Sequence, residues 1–309
     1  MKNFIVRILL FLFFLTFFYS GCVFLWGLIF SPNMAKNLKL FGPGGHLNSR
    51  IRDSATCSDV DVLFLGSSHA YRGFDPRVFR KYGIKSFNLG SSAQTPIQTE
   101  ILLKRYLNSL NPKLIVYEVY PSTLSLDGVE SALDLIANDR IDFPIIKMAI
   151  DLNHPTVYNS LIYGIVRDLL DLDRDFVEPI HQGTDKYVKG GFVEKKISFY
   201  ENVIAPPSKK WESLKYQREA FERIIKKLQK FKRNVILVQA PVTKERYDSY
   251  SNNSEFDLYF RLLADYYNFN HILELPSTSC FYDSHHLNQD GVEIFNKALV
   301  KILRNSNYF

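Results

Sequence analysis

The chain has 309 residues, 46% of them hydrophobic and 23% charged, with a formal net charge of +6. That suits a globular protein with room for one large α/β domain, and it excludes a disordered or low-complexity chain. The three cysteines, Cys22, Cys57 and Cys280, have neither the spacing of a zinc site nor the number for a disulfide framework, so no structural zinc is expected, and the chemistry argued below requires no metal or organic cofactor. The positive charge comes with no nucleic-acid motif, and its densest stretch, Lys226–Arg233, reads as the solvated face of a helix and its exit.

Residues 8–30 run ILLFLFFLTFFYSGCVFLWGLIF without a charge. About 20 such residues cross a bilayer as a helix. Lys2 and Arg7 precede the run, which favours a cytoplasmic N-terminus and an exported remainder, although Lys36 and Lys39 follow it. A cleaved signal peptide would have a shorter apolar core and a small-residue cleavage site. A lipidated Cys22 after Ser20-Gly21 would open a polar linker, whereas Val23 to Phe30 stay apolar. Residues 1–30 therefore read as a retained single-pass anchor. Residues 31–58, with Pro32, Gly42, Pro43, Gly44 and Gly45, read as a stalk, and 59–309 as the folded domain.

Within that domain short apolar runs alternate with helical patterns. Asp61–Leu65, Lys85–Leu89 and Leu114–Val119 read as strands, with helices over 76–82 and 95–110. Residues 122–210 break the rhythm: helical patterns near 126–137, 143–151 and 157–172 precede a polar stretch with Gly183, Gly190 and Gly191. This segment reads as an insertion after the third strand, either a packing extension or a lid over the sheet. The alternation resumes with a helix over Trp211–Phe231, a strand at Asn234–Ala240, a helix over Phe256–Tyr267, a short fifth strand at His271–Leu275 and a last helix over Gln289–Leu303. The expected fold is α/β, a three-layer sandwich around a parallel sheet of about five strands.

Gly66-Ser67-Ser68-His69 follows the first strand, where open α/β sheets place their ligands. Before the last helix stands Asp283-Ser284-His285-His286-Leu287-Asn288. An aspartate and a histidine three residues apart can meet without help from another segment. The carboxylate then fixes the imidazole tautomer, and the other ring nitrogen is free to take a proton from a serine. Neither motif is specific alone; an α/β sheet can bring the two together. Ser67 is the alternative nucleophile and His285 the alternative base, while His69 lines the pocket or bonds locally. Arg72 and Asp75 read as a local turn network, and Asn288 as the cap of the last helix.

VDVLFLGSSHAYRGFDP resembles the first block of the SGNH (GDSL-like) hydrolases, with Ser67 replacing the usual aspartate and Ser68 in the nucleophile position. FNLGSSAQTP resembles the second block, and DSHHLNQDGVEIFNKAL the last. The resemblance covers 60–120 and 234–303. It implies an SGNH/flavodoxin-like fold, a Ser68–His286–Asp283 triad and an oxyanion donor at Gly90; with the triad spacing favouring His286, His285 is expected to point elsewhere, toward substrate. The family's third block ordinarily supplies an asparagine; here Tyr117-Glu118-Val119-Tyr120-Pro121 has none, and Gln94 is the amide that could replace it. Glu118 would oppose an oxyanion if ionised, or it is a hydrogen-bonded residue at the strand end.

The apolar anchor, the altered third block and the insertion resemble the membrane-anchored branch of alginate O-acetylation and teichoic-acid D-alanine transfer proteins. That likeness implies an extracytoplasmic O-acyltransferase or esterase, an acylated donor, a polysaccharide-type acceptor and a membrane-bound O-acyltransferase partner. A secreted carbohydrate esterase or lipase with the same triad, and a non-catalytic binding protein on the same fold, are the other readings.

Overall fold

The computed structural model describes residues 1–30, 34, 37–42, 44–201, 203–306 and 308. The readings made on Pro32, Lys36 and Pro43 lie outside the described residues.

In chain order the elements are α1 (Lys2–Ile29), α2 (Leu47–Ser54), β1 (Val62–Leu65), α3 (Ser68–Gly73), α4 (Pro76–Arg80), β2 (Ser86–Asn88), α5 (Pro96–Leu110) and β3 (Leu114–Glu118). A 3-10 turn at Pro121–Leu124 leads to α6 (Val129–Asn138), α7 (Phe143–Leu152) and α8 (Pro155–Leu169). Then come β4 (His181–Gln182), β5 (Asp185–Val188), β6 (Phe192–Lys195), α9 (Lys215–Lys230), β7 (Asn234–Gln239), α10 (Lys244–Asp248) and α11 (Asn253–Arg261). The chain ends with β8 (Asp265–Asn268), α12 (Phe269–Ile272), α13 (Ser277–Cys280) and α14 (Gln289–Asn305).

The described chain forms two compact units, Met1–Pro43 with Ala132–Val177, and Gly44–Ser131 with Glu178–Phe309. Of the stretch 122–210, residues 132–177 thus belong to the first unit and the rest to the second.

In the first unit α1 is a 28-residue helix, long and apolar enough to cross a membrane, and only Val23 and Gly27 along it are buried. Its last turns pack on α8: the Tyr19 hydroxyl donates to Asn159 Oδ1, and the Phe24 and Tyr163 rings lie 5.9 Å apart.

The second unit is built on a five-stranded sheet, ordered β2-β1-β3-β7-β8, in which every pairing is parallel. Val62 and Phe64 of β1 face one side with Val116, Ile236, Phe74 and Phe295. Leu63 and Leu65 face the other with Ile115, Leu237, Phe221 and Leu228. Burial on both faces is what continuous apolar strands require, and it explains why they read as runs rather than as alternations. From β1 the chain crosses to β2 on one side and then returns to β3 on the other. The carboxyl ends of β1 and β3 therefore flank the point where strand order reverses, the usual crevice for a ligand.

The fifth strand is displaced from its expected place. The helix ends at Arg261, β8 occupies Asp265–Asn268, and His271 lies in α12. Tyr266 packs into one core and Tyr267 against the other, the alternation of a strand, and the Tyr266 hydroxyl reaches Gln239 Oε1 at 2.7 Å on β7. A second sheet, β4-β5-β6, is antiparallel and stands where the sequence showed only a polar, glycine-bearing stretch. Gly190 and Gly191 both have positive φ, 99° and 91°, and the Gly190 carbonyl accepts the Asn88 N–H of edge strand β2 at 2.9 Å. Helix α9 begins at Lys215, later than expected: the Trp211 carbonyl, which a helix starting there would use, accepts from Asn252 Nδ2 at 3.1 Å, and the Trp211 N–H donates to Asn252 Oδ1 at 2.8 Å.

Candidate active site

All the groups below lie in the second unit. β1 ends at Gly66, whose φ is 134°. A side chain there would meet Glu118 Cβ at 2.8 Å and its carbonyl at 2.9 Å, so only glycine passes this tightly over the end of β3. Ser67 then caps α3 through its side chain, and Ser68 is the first helical residue. As such, its N–H has no acceptor within the helix.

The partner loop is fixed from both ends. Phe281 and Leu287 form an antiparallel bridge, and the Tyr282 N–H donates to the His286 carbonyl at 3.1 Å. Asn288 caps α14, accepting the Gly291 N–H at 3.1 Å, and donates to the Ser279 carbonyl at 2.8 Å. Thr243, after β7, holds the Ser284 carbonyl with its hydroxyl at 2.9 Å.

Between these two pieces His286 Nε2 lies 2.8 Å from Ser68 Oγ, and His286 Nδ1 lies 2.8 Å from Asp283 Oδ2. Asp283 Oδ1 also accepts the main-chain N–H of His285 at 2.9 Å and of His286 at 2.8 Å. Burial pushes the Asp283 carboxyl up, but the hydrogen bond and charge of His286 outweigh it and hold the group well below the usual carboxylate range. A permanently ionised carboxylate on Nδ1 leaves Nε2 as the proton acceptor facing the serine.

Three rings pack against the His286 imidazole: His285, 4.1 Å away at 42°, His69, 5.0 Å away at 21°, and Tyr282, 5.4 Å away at 7°. The cavity over Ser68 has a volume of about 460 Å³. Its walls include Arg72, Ser122, Thr123, Glu130 and Lys195, so most of its chemistry is polar. His285 lines it too, and burial together with the charge of His286 lowers that ring to about 4. Arg72 is held by a bidentate pair with Asp185, at 2.7 and 3.1 Å.

Gly90 and Gln94 are placed differently. The Gly90 N–H donates to Asn88 Oδ1 at 2.9 Å. The Gln94 side chain is buried, accepting from Ser91 and donating to Thr99, each at 2.9 Å. Neither lines the cavity; Ser92 and Ala93 do, with Ala93 at a φ of 47°. Arg72 and Asp75, read together as a turn network, find different partners: Asp75 pairs with Arg77 at 2.7 Å. Tyr282 and Tyr120 line the cavity too; the aromatic residue directly before Asp283 is the sequence signal for the first, and the second belongs to the block that lacks an asparagine.

Asp283, His285 and His286 present ligand atoms within 4.8 Å of one another. A divalent cation bound there would compete for the lone pairs that join Asp283 to His286.

No protein-family model matches the chain, and no curated protein matches it in sequence. Among solved structures it is similar to a GDSL-like lipase from Bacteroides thetaiotaomicron, with 10% identity, a TM-score of 0.43, and coverage of 84% of this chain and 98% of that one. It is also similar to a Streptococcus pneumoniae protein described as a platelet activating factor, with 11% identity, a TM-score of 0.42, and coverage of 82% and 88%. A Bacteroides fragilis protein described as an acylhydrolase has 11% identity, a TM-score of 0.37, and coverage of 85% and 98%. These likenesses are weak, and the chemistry of the site rests on its own geometry.

Proposed function

We propose that this chain is a serine esterase or O-acyltransferase of SGNH type, anchored in a membrane by α1 and acting outside the cytoplasm on a hydroxylated polymer of the cell envelope. The observation that carries the reading is the continuous Ser68–His286–Asp283 line, with both contacts at 2.8 Å. Ser68 Oγ attacks the carbonyl carbon of an acyl donor while His286 Nε2 takes its proton. The imidazolium, stabilised by Asp283, returns that proton to the departing oxygen and leaves an acyl-serine. An acceptor hydroxyl then gives its proton to Nε2 and attacks the acyl carbon, and Ser68 regains a proton as it leaves. The Ser68 N–H is one donor for the oxyanion.

The polar cavity suits a hydroxylated acceptor better than a long acyl chain. An acyl donor on the membrane, supplied by a membrane-bound O-acyltransferase, fits a catalytic unit tethered there. Hydrolysis uses the same acyl-serine with water as acceptor. A binding protein without activity is favoured by one observation, the engagement of the Gly90 N–H with Asn88.

The test is fluorophosphonate labelling of the full-length protein in detergent, wild type against Ser68→Ala. Labelling lost in the variant supports the nucleophile. A folded wild type that stays unlabelled favours the binding reading. Release of p-nitrophenol from its acetate, with and without oligosaccharide acceptors, then separates transfer from hydrolysis.

A further inference from the structure

Beneath the proposed triad lies a second line of polar groups that the mechanism above leaves unused. Glu118 closes β3 and is only 1% exposed. Its Oε2 meets the Ser67 hydroxyl at 3.4 Å. Ser67 Oγ lies 3.3 Å from His69 Nδ1 and accepts the His69 main-chain N–H at 3.4 Å. The buried His69 ring packs on His286. Ser67 and His69 are also the chain neighbours of Ser68, so this line touches the proposed nucleophile from both sides.

We infer that Glu118, in its neutral form, is a positioning residue for this site, acting through Ser67 on the turn that carries Ser68 and through His69 on the ring of His286. The inference rests on reading Ser68 as the nucleophile. As a neutral acid Glu118 donates to Ser67, and Ser67 donates to His69 Nδ1, which leaves the His69 proton on Nε2. As a carboxylate it only accepts. The Ser67 proton then turns away from His69, and a negative charge stands beneath the turn where substrate charge develops.

The surroundings favour the neutral form. Burial pushes the Glu118 carboxyl up to about 8, against the pull of hydrogen bonds from Ala240, Ser67 and Tyr120. Among the described residues no cation pairs with it. The titratable groups around it are His69 from α3, which burial keeps neutral, Tyr117 from β3 and Tyr120 just beyond the strand end. Arg246 of α10 stands beyond Tyr120, with its Nε 3.4 Å from the phenol oxygen.

The experiment is the rate of fluorophosphonate labelling at Ser68 from about pH 6 to about pH 9, in full-length wild type and Glu118→Gln. Wild type is expected to lose about tenfold in rate between pH 7 and pH 9, as a group titrating near 8 ionises. The glutamine, always neutral and still a donor, is expected to keep the rate at pH 7 within about threefold and to show no alkaline fall. A wild-type profile flat to pH 9, or a variant that follows the wild-type fall, overturns the inference while leaving Ser68 as nucleophile. Wild type unlabelled at every pH overturns the hydrolase reading itself.

Discussion

The phenol ring of Tyr282 lies nearly parallel to the imidazole of His286, with 5.4 Å between centroids and 7° between planes. Tyr282 is the residue before Asp283, so the carboxylate that orients the imidazole and a ring that limits its tilt come from adjacent positions of one loop. Aromatic pairs contribute about 0.5–1.5 kcal/mol beyond the area they bury. Tyr282→Leu is therefore expected to lower kcat about three- to tenfold with little change in KM. Tyr282→Phe, which keeps the ring, is expected to stay near wild type. Steady-state hydrolysis of an aryl acetate measures both, and a leucine variant with wild-type kcat would show that the ring has no part in catalysis.

Asp283 receives three hydrogen bonds, from His286 Nδ1 and from two main-chain amides. Asparagine keeps the shape of the side chain but not its charge, and it favours the wrong imidazole tautomer. Asp283→Asn is expected to lower kcat by about a thousandfold or more, as tautomer inversion does in serine triads. The labelling rate and the melting temperature should be read together. A variant that melts like wild type yet labels slowly assigns the loss to chemistry. One that labels at the wild-type rate excludes Asp283 from the triad.

The meeting of Ser68, Asp283 and His286 was legible because two of them are three residues apart and the third follows a strand whose apolar run is unmistakable. The parallel sheet was legible for the same reason, since Leu63, Phe64, Ile115 and Ile236 are buried and leave continuous apolar runs. The fifth strand was not, because Phe256, Tyr259, Phe260, Leu263 and Tyr266 satisfy helical spacing as well as they serve a helix followed by a strand. Strands β4 and β5 carry side chains that are half-exposed or exposed, and β6 buries two consecutive residues, Phe192 and Val193, so neither period stands out. The partners of Gly90 and Gln94 were not legible, for a different reason. Their donors are real, but the structure satisfies them with Asn88 and Thr99, and no sequence pattern records which acceptor lies nearest.

Acid should destabilise the fold through the histidines. Burial, with the charge of His286, lowers His285 to about 4, and burial lowers His69 well below its usual value. An unfolded histidine takes its proton near pH 6.5, so between about pH 6.5 and about pH 4 the unfolded chain binds more protons than the folded one. Stability must then fall as pH falls through that window. His285 is partly exposed, so after allowance for solvent screening its share is on the order of 1–2 kcal/mol. His285→Phe is expected to reduce the loss in urea midpoint between about pH 7 and about pH 5. An unchanged loss would show that the ring is already protonated in the folded protein.

The bidentate pair between Arg72 and Asp185 ties α3, which carries Ser68, to the antiparallel sheet, with 14% and 18% of the two side chains exposed. Burial alone would lower the Arg72 pKa, but Tyr71 and the Asp185 hydrogen bond raise it, so the guanidinium is charged at every working pH. Asp185→Asn leaves that charge unpaired in a place with little water. Breaking one side of a buried pair costs about 3–5 kcal/mol, which for a protein of this size lowers the melting temperature by roughly 5–15 °C. Replacing both partners with apolar residues of similar volume, Arg72→Met with Asp185→Leu, is expected to recover most of that loss, because no charge is then stranded. Thermal melts of the two variants decide the matter. If the single variant melts with wild type, the pair is a surface contact and does not hold α3 in place. If the double variant melts as low as the single one, the deficit comes from lost packing and not from a stranded charge.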